Sequence, residues 1–414
     1  MQLNSKVRSL MVGRNMARRI ERRLSPSIAP VRLSDSGLCS VLQPRTSSWW
    51  RCRPGLLWLD LFVLVVAGQA SSLKPDETVV FFPTVGWLHP ERAKWEVEVH
   101  GWVVEREDRT VSLSALRTAL ELGGLEWDET AQGLFAERAC WFLADNERGK
   151  RVTVALEGRE FSMPKSDANG HFTTRIEMPA DPAESTQGTG RGTRVIAVQG
   201  AGGTRGKRAI AGAVYLLSPT GLSVISDIDD TIKVSEVGDR EALLRNTFLR
   251  PYHPVPGMAE VYAGWATDSG ASFHYVTASP WQLYPDLTVF IRSNGFPEGT
   301  FHMKLFRWKD RSFRELFQSP ERYKLKVIQP LLKRFPGRHF VLVGDSGERD
   351  PEIYGELARR HPKQVRRILI RDVTGEGKEA ERYCRAFAGL SNGLTAVFSE
   401  PREIRNTRGA PPSR

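Results

Sequence analysis

Three carboxylates fall within four positions, at Asp227, Asp229 and Asp230, directly after the apolar run Leu222–Ile225. Held that close, they repel one another unless a cation neutralises them or one stays protonated. A strand tip opening into acids is where α/β sheets place ligands. A polar loop capping a helix is the plainer reading, but three acids exceed what a cap requires. Thr277 ends a second apolar run, Ala271–Val276. A hydroxyl and a neighbouring amide at a strand end hold a phosphate oxygen, or the hydroxyl serves only as a helix start. Lys324 lies early in a helical pattern, beside the stripe begun by Leu325, and is either a solvated surface lysine or one that reaches a phosphate and the aspartates; Lys326 steps to another part of that helix. Asp345 follows the all-apolar run Phe340–Val343 and Gly344, which brings a second acid to the same sheet edge, where Mg²⁺ finds oxygen ligands. Asp350 precedes Pro351 and reads equally as a metal-site acid or as a helix N-cap.

The elements around these residues alternate. Strand-like runs at 222–225, 271–276, 300–306, 339–343 and 365–370 are separated by helical patterns, which predicts a parallel α/β sheet with 365–370 as its last central strand. Ser279-Pro280 and Ser319-Pro320 each resemble a helix start, with serine as N-cap and proline in the first turn. Leu287, Phe290 and Ile291 would form the buried face of the first helix, and Leu325, Ile328, Leu332 and Phe335 that of the second. Only two helices and one strand fit between Asp227 and Thr277, which excludes a large cap domain there. Phe248, Tyr252, Trp281, Leu283 and Tyr284 lie close by and either rim an open entrance or pack in the core.

Upstream the texture is different. Trp95 to Trp102 alternates Trp95, Val97 and Val99 with Glu96, Glu98 and His100, and further runs at 151–156, 172–178 and 193–198 continue the period of two. Turn signals between them, such as Asp167-Ala-Asn-Gly170, suggest a sandwich or small barrel, with one helix over Ser112–Leu122. His100 is read as a packing or surface histidine, and Trp87, Trp95 and Trp102 as core and rim.

The chain of 414 residues has 40% hydrophobic and 26% charged residues, an ordinary globular balance, so the net charge of +11 is the feature to explain. Eleven Lys and Arg stand against only Glu21 and Asp35 in residues 1–55, so the rest of the chain is nearly neutral. Nucleic-acid binding by the folded body is therefore excluded. The apolar run Leu56–Ala67, interrupted by Asp60, is short for a membrane span. With Arg51 and Arg53 before it and Gly68-Gln-Ala70 after it, it has a signal-peptide layout. An organelle transit peptide and a buried element are the rivals. Cys39, Cys52, Cys140 and Cys384 lack metal-type spacing, and the chain is not built on disulfides.

Asp227-Ile-Asp-Asp-Thr231 after a strand resembles the nucleophile motif of the haloacid dehalogenase superfamily of phosphohydrolases. Ser226–Lys233 and Gly344–Tyr354 look closer still to one lipin-related branch, the actin-patch-associated phosphatidate phosphatase family. At motif level the resemblance covers about residues 218–373, and Asp227/Asp229, Thr277, Lys324 and Asp345 stand in the order of the four superfamily motifs.

It implies a haloacid-dehalogenase-like α/β domain with a minimal cap, after a β-rich sandwich-like domain. The expected divisions are a basic targeting or disordered segment 1–72, a β-rich accessory domain 73–217, a catalytic domain 218–400 and a flexible tail 401–414. It implies Mg²⁺-dependent hydrolysis of phosphatidate, or another phospholipid, at a membrane surface. Asp227 would be the nucleophile and Asp229 the acid and base. Thr277 and Lys324 would steady the phosphoryl group. Asp227, Asp345, the backbone of Asp229 and Asp350, whose alternative is a helix cap, would form the metal set, with Asp230 a structural acid. A soluble or protein phosphomonoester, or a non-catalytic phosphatidate-binding module, is the alternative. The expected location is exported, periplasmic or envelope-associated, with a cytoplasmic or organellar peripheral membrane protein as the alternative.

Overall fold

Successive side chains of a strand face opposite ways, and the alternation read at Trp95, Val97 and Val99 buries all three while Glu96, Glu98 and His100 are partly exposed. They lie on the longest strand of a computed structural model that describes residues 73–407 apart from 107–109, 121–123, 126, 181–192, 203–207 and 307–320. The segment 1–72 with its apolar run 56–67, and the Ser319-Pro320 helix start, lie outside the described residues.

The first part of the chain is strand-rich. It comprises β1 (Glu77–Phe82), β2 (Thr84–His89), β3 (Lys94–Glu105), α1 (Thr110–Ala119), α2 (Glu129–Leu143), β4 (Asp145–Asn146), β5 (Thr153–Leu156), β6 (Arg159–Ser162), β7 (His171–Pro179), β8 (Arg194–Gly200), β9 (Arg208–Ile210) and β10 (Gly212–Leu217). These strands join in the order β6-β5-β8-β10-β2-β3-β1-β9, with β4 and β7 also paired to β3. Two helices rather than one interrupt them. The second, α2, starts at an Asp128 cap whose carboxylate accepts from Ala131 N at 2.7 Å. Its buried face includes Arg138, whose guanidinium donates to the carbonyls of Thr247 and Arg250 at 2.8 and 2.7 Å, so an apolar stripe alone does not mark the helix.

The second part is α/β: β11 (Thr220–Ser226), α3 (Arg240–Phe248), α4 (Met258–Ser269), β12 (Ser272–Pro280), α5 (Tyr284–Ser293), β13 (Gly299–Lys304), α6 (Glu321–Arg334), β14 (Gly337–Asp345), α7 (Asp350–Arg360), β15 (Val365–Arg371), α8 (Glu381–Ala386) and β16 (Thr395–Phe398). All neighbouring strands are parallel, in the order β13-β12-β11-β14-β15-β16. The strand at 365–370 is the last central one; β16 pairs beyond it at the edge, as a short half-buried run that carries little apolar signal. The tail expected from 401 begins with a 3-10 turn, Pro401–Ile404, because Ile404 is packed into the core.

Alternation on the central strands divides the interior into two layers. Val224, Val341, Val343 and Leu369 face one cluster, shared with Phe82, Trp102 and Phe135 of the strand-rich part. Ile225, Leu342, Ile368 and Ile370 face the other, shared with α6, α7 and with Val85, Trp87 and Leu217. Phe248, Trp281, Leu283 and Tyr284 are core residues, and Tyr252 is half-buried. The strand-rich part is therefore packed on both faces of the parallel sheet.

His171 and His302 lie in this shared interior, and burial pushes them down to about 3 and about 4; the charge of Arg334 adds to the shift at His302. A histidine whose folded pKa is depressed favours the native state fully above its unfolded value near 6.5, and that contribution is lost as pH falls towards the folded value. The buried acids described below titrate with the opposite sign, so the comparison is made against a variant. Between pH 6.5 and about 4, the parent should lose about 1.4 kcal/mol per pH unit relative to His302→Gln, measured from urea midpoints. A pH-independent difference would contradict this.

Candidate active site

The chain runs β11, β12 and β13 to one side, then returns to place β14 on the other side of β11. The crevice outside the carboxyl ends of β11 and β14 is the switch point at which open α/β sheets place their ligands. Asp227 follows β11 there, anchored by its amide to Val343 O at 2.9 Å, and Asp345 ends β14.

Lys324 reaches this crevice from the first turns of α6. It is fully buried, with Nζ 3.0 Å from Asp227 Oδ1, 2.8 Å from Glu348 Oε2 and hydrogen-bonded to Asp350 Oδ1. Lys326, two residues on, is exposed. Asp350 is the first residue of α7, not its cap; that position is Arg349, and no side-chain cap bond forms. The Asp350 carboxylate instead serves Lys324 and accepts from Asp345 N at 3.4 Å. Gly344 makes room for it: a Cβ there would stand 2.1 Å from Asp350 Oδ2.

Asp227, Asp345 and Asp350 each offer a carboxylate oxygen within 4.8 Å of the other two, and all three are buried. Asp345 Oδ1 accepts from Gly347 N and Glu348 N at 2.6 and 3.2 Å, whereas its Oδ2 is buried with no hydrogen-bond partner. Burial drives the Asp227 carboxyl well above its ordinary range; Lys324 opposes the rise, and Asp350, Glu348 and Asp345 add to it. Burial likewise raises Asp345, with Asp350 next in effect, and raises Asp350 to about 6. Burial disfavours the Lys324 ammonium, but Asp227, Asp350 and Glu348 outweigh it and hold the lysine charged. One lysine against four acids, with an oxygen left over, is a donor set that fits a hard divalent cation.

The Asp229 carboxylate belongs to a second network. It takes Lys233 Nζ at 2.8 Å, Ser235 Oγ at 2.7 Å, Thr277 Oγ1 at 3.1 Å and Ser279 Oγ at 2.9 Å. Burial opposes its ionisation, yet the Lys233 charge and these hydrogen bonds carry it down to about 2. Ser279 is therefore not the helix cap expected from Ser279-Pro280. It lies at the end of β12, and a 3-10 turn at Trp281–Leu283 leads into α5 with no side-chain cap. Thr277 Oγ1 accepts from Ser279 N at 3.0 Å while donating to Asp229.

Asp230 braces the loop. It sits at φ 53, a left-handed position that aspartate tolerates, and its carboxylate accepts from the amides of Ser235, Glu236 and Val237. The structure thus gathers Asp227, Lys324, Asp345 and Asp350 in one group, and Asp229 with Thr277 in an adjoining one. It adds Glu348, Lys233 and Ser235, which had not been singled out, and Ser279, which had been read only as a helix cap. Glu348 and Lys233 lie inside the motif strings, but neither string indicates where their side chains turn.

Residues 222–372 match the family described as phosphatidate phosphatase APP1, catalytic domain. This segment is similar to that family's catalytic domain. Over 191 residues the chain is 32% identical to phosphatidate phosphatase APP1 of Saccharomyces cerevisiae, a stretch that is 45% of this chain and 32% of that protein. It is 30% identical over 174 residues to an uncharacterised protein of Schizosaccharomyces pombe, covering 41% of this chain and 28% of that one. The chain thus spans about a third of the length of the curated relatives it matches. Every residue of the two networks lies inside the APP1-type segment.

Proposed function

We propose that the APP1-type domain is a phosphatidate phosphatase, hydrolysing phosphatidate to diacylglycerol and phosphate at a phospholipid surface. The observation that carries this reading is the buried set Asp227, Asp345 and Asp350 around Lys324, with Asp345 Oδ2 left without a partner. The similarity to a protein named phosphatidate phosphatase supplies the substrate. The fold is read as haloacid-dehalogenase-like with a minimal cap, and the strand-rich part as sandwich-like.

Asp227, Asp345, Asp350 and the backbone carbonyl of Asp229 would hold Mg²⁺. When bound, it would neutralise charge on the phosphate and the surrounding acids. Asp227 attacks phosphorus and forms an aspartyl-phosphate as the bond to the glycerol oxygen breaks. Asp229 gives the departing oxygen its proton, then takes one from the water that cleaves the aspartyl-phosphate. Its low pKa suits the second step; the negative charge of a bound phosphate monoester counters Lys233 and raises it for the first. Lys324 and Thr277 steady the phosphoryl oxygens between them. For residues 1–72 we retain export to the periplasm or envelope as the proposal.

The test is phosphate release by the full chain from phosphatidate in mixed micelles, beside p-nitrophenyl phosphate. Phosphatidate should be strongly preferred, with activity lost to a chelator and restored by Mg²⁺. Turnover of the soluble ester alone would discard the lipid, and turnover of neither would discard the phosphatase.

A further inference from the structure

A cavity of about 710 Å³ opens between the strand-rich part and the parallel sheet, at the carboxyl edge that also carries the acid cluster. Because the strands are parallel, the ends of β12 and β13 lie on the same edge as Asp227 and Asp345. The cavity wall is tied to the site by the chain itself. Trp281 follows the Thr277–Ser279 segment, and Tyr323, another wall residue, precedes Lys324.

We propose that this cavity seats the glycerol and the first methylenes of the acyl chains of phosphatidate, so that the strand-rich part supplies one wall of the lipid site. The inference rests on the phosphatase reading above. Trp281, Met303, Leu305 and Val327 line it from the α/β side, and Lys165 and Thr173 from the strand-rich side. The volume is that of a small-molecule site, and its wall mixes these apolar side chains with polar ones, among them His100, His302, Lys304 and Asp167. Leu305 is 52% exposed, one of three large apolar side chains exposed in this way among the described residues. A leucine in water beside Met303 and Val327 of the cavity wall is a contact held ready for a chain that leaves a bilayer. Lys165 is exposed on the same wall, a positive group suited to an anionic lipid. A soluble polar phosphomonoester would leave this wall unused.

The experiment is calorimetric binding of water-soluble phosphatidates with butyryl, hexanoyl and octanoyl chains, in Mg²⁺, to full-length protein carrying Asp227→Asn so that turnover does not interfere. Each seated methylene should tighten binding about fourfold, so the octanoyl ester should bind at least about tenfold more tightly than the butyryl. Adding Leu305→Asp or Thr173→Trp should flatten that dependence while leaving the affinity for inorganic phosphate unchanged. Both positions are exposed, so the fold should tolerate either change. Absence of chain-length dependence in the parent, or its persistence in both variants, would overturn the proposal. A failure of the phosphatase reading would show separately, as absence of phosphate release by the unsubstituted protein.

Discussion

The Asp227→Asn protein should fold as well as the parent and release no phosphate from any ester. The amide matches the carboxylate in shape, and the backbone bond to Val343 O remains. In the parent, burial and the neighbouring Asp350, Glu348 and Asp345 already hold the Asp227 carboxyl well above its usual range, so removing its charge relieves repulsion. Lys324 keeps Glu348 and Asp350 as partners. The urea midpoint should therefore stay equal to the parent's or rise. Turnover should fall by at least about 10⁴-fold, the scale seen when an enzyme loses its nucleophile. Phosphate release within tenfold of the parent, or a protein that no longer folds, would remove Asp227 from that role.

The parts of the site legible in sequence were those fixed by backbone direction. An apolar run followed at once by an acid places that acid at a strand end, and both Asp227 and Asp345 are where that rule puts them. Lys324 was legible because helical spacing turns it with the stripe that contains Ile328 and Leu332, and both of those are buried. Side-chain direction across a loop was not legible. Ser279-Pro280 has the composition of a helix start, yet the strand continues through it, and the serine hydroxyl lies 2.9 Å from Asp229. Asp350 before Pro351 left two readings open, and nothing local showed that a buried lysine from another helix takes the carboxylate. Such choices are set by tertiary contacts between residues far apart in the chain, which local propensity does not register.

Packing between the two parts was equally hidden. The period of two at β3 gave the strand, but not that β3 would pair with β7 along one side and share the other between β1 and β2. The strand-rich part and the parallel sheet share both apolar layers, so the β-rich sequence is bound up with the interior around the site. That shared packing is why α2 carries a buried arginine. Arg138 spans to the carbonyls of Thr247 and Arg250, which no strand or helix ladder satisfies.

Replacing Lys324 with methionine should remove activity and also destabilise the fold, and the two effects should separate. The side chain is fully buried, and its ammonium is the cation shared by Asp227, Glu348 and Asp350. Methionine fills much the same volume, so the loss is chiefly electrostatic. Breaking a buried ion pair by deleting one partner costs about 3–5 kcal/mol, because the remaining charge is left uncompensated. The acids can escape part of that cost by taking up protons, and Asp350 already does so near pH 6 in the parent. Their folded pKa values lie above the unfolded ones, so the native state gains protons, and stability, as pH falls through the folded values. The deficit of Lys324→Met should accordingly be largest near pH 8 and shrink towards pH 5, read from urea midpoints at each pH. Saturating Mg²⁺ should return much of the stability, since a divalent cation among the same acids supplies the missing charge. It should return no turnover, because the proposed mechanism also needs the lysine at the phosphoryl oxygens. A variant as stable as the parent at pH 8 without added metal would show that the acids are not held together by Lys324.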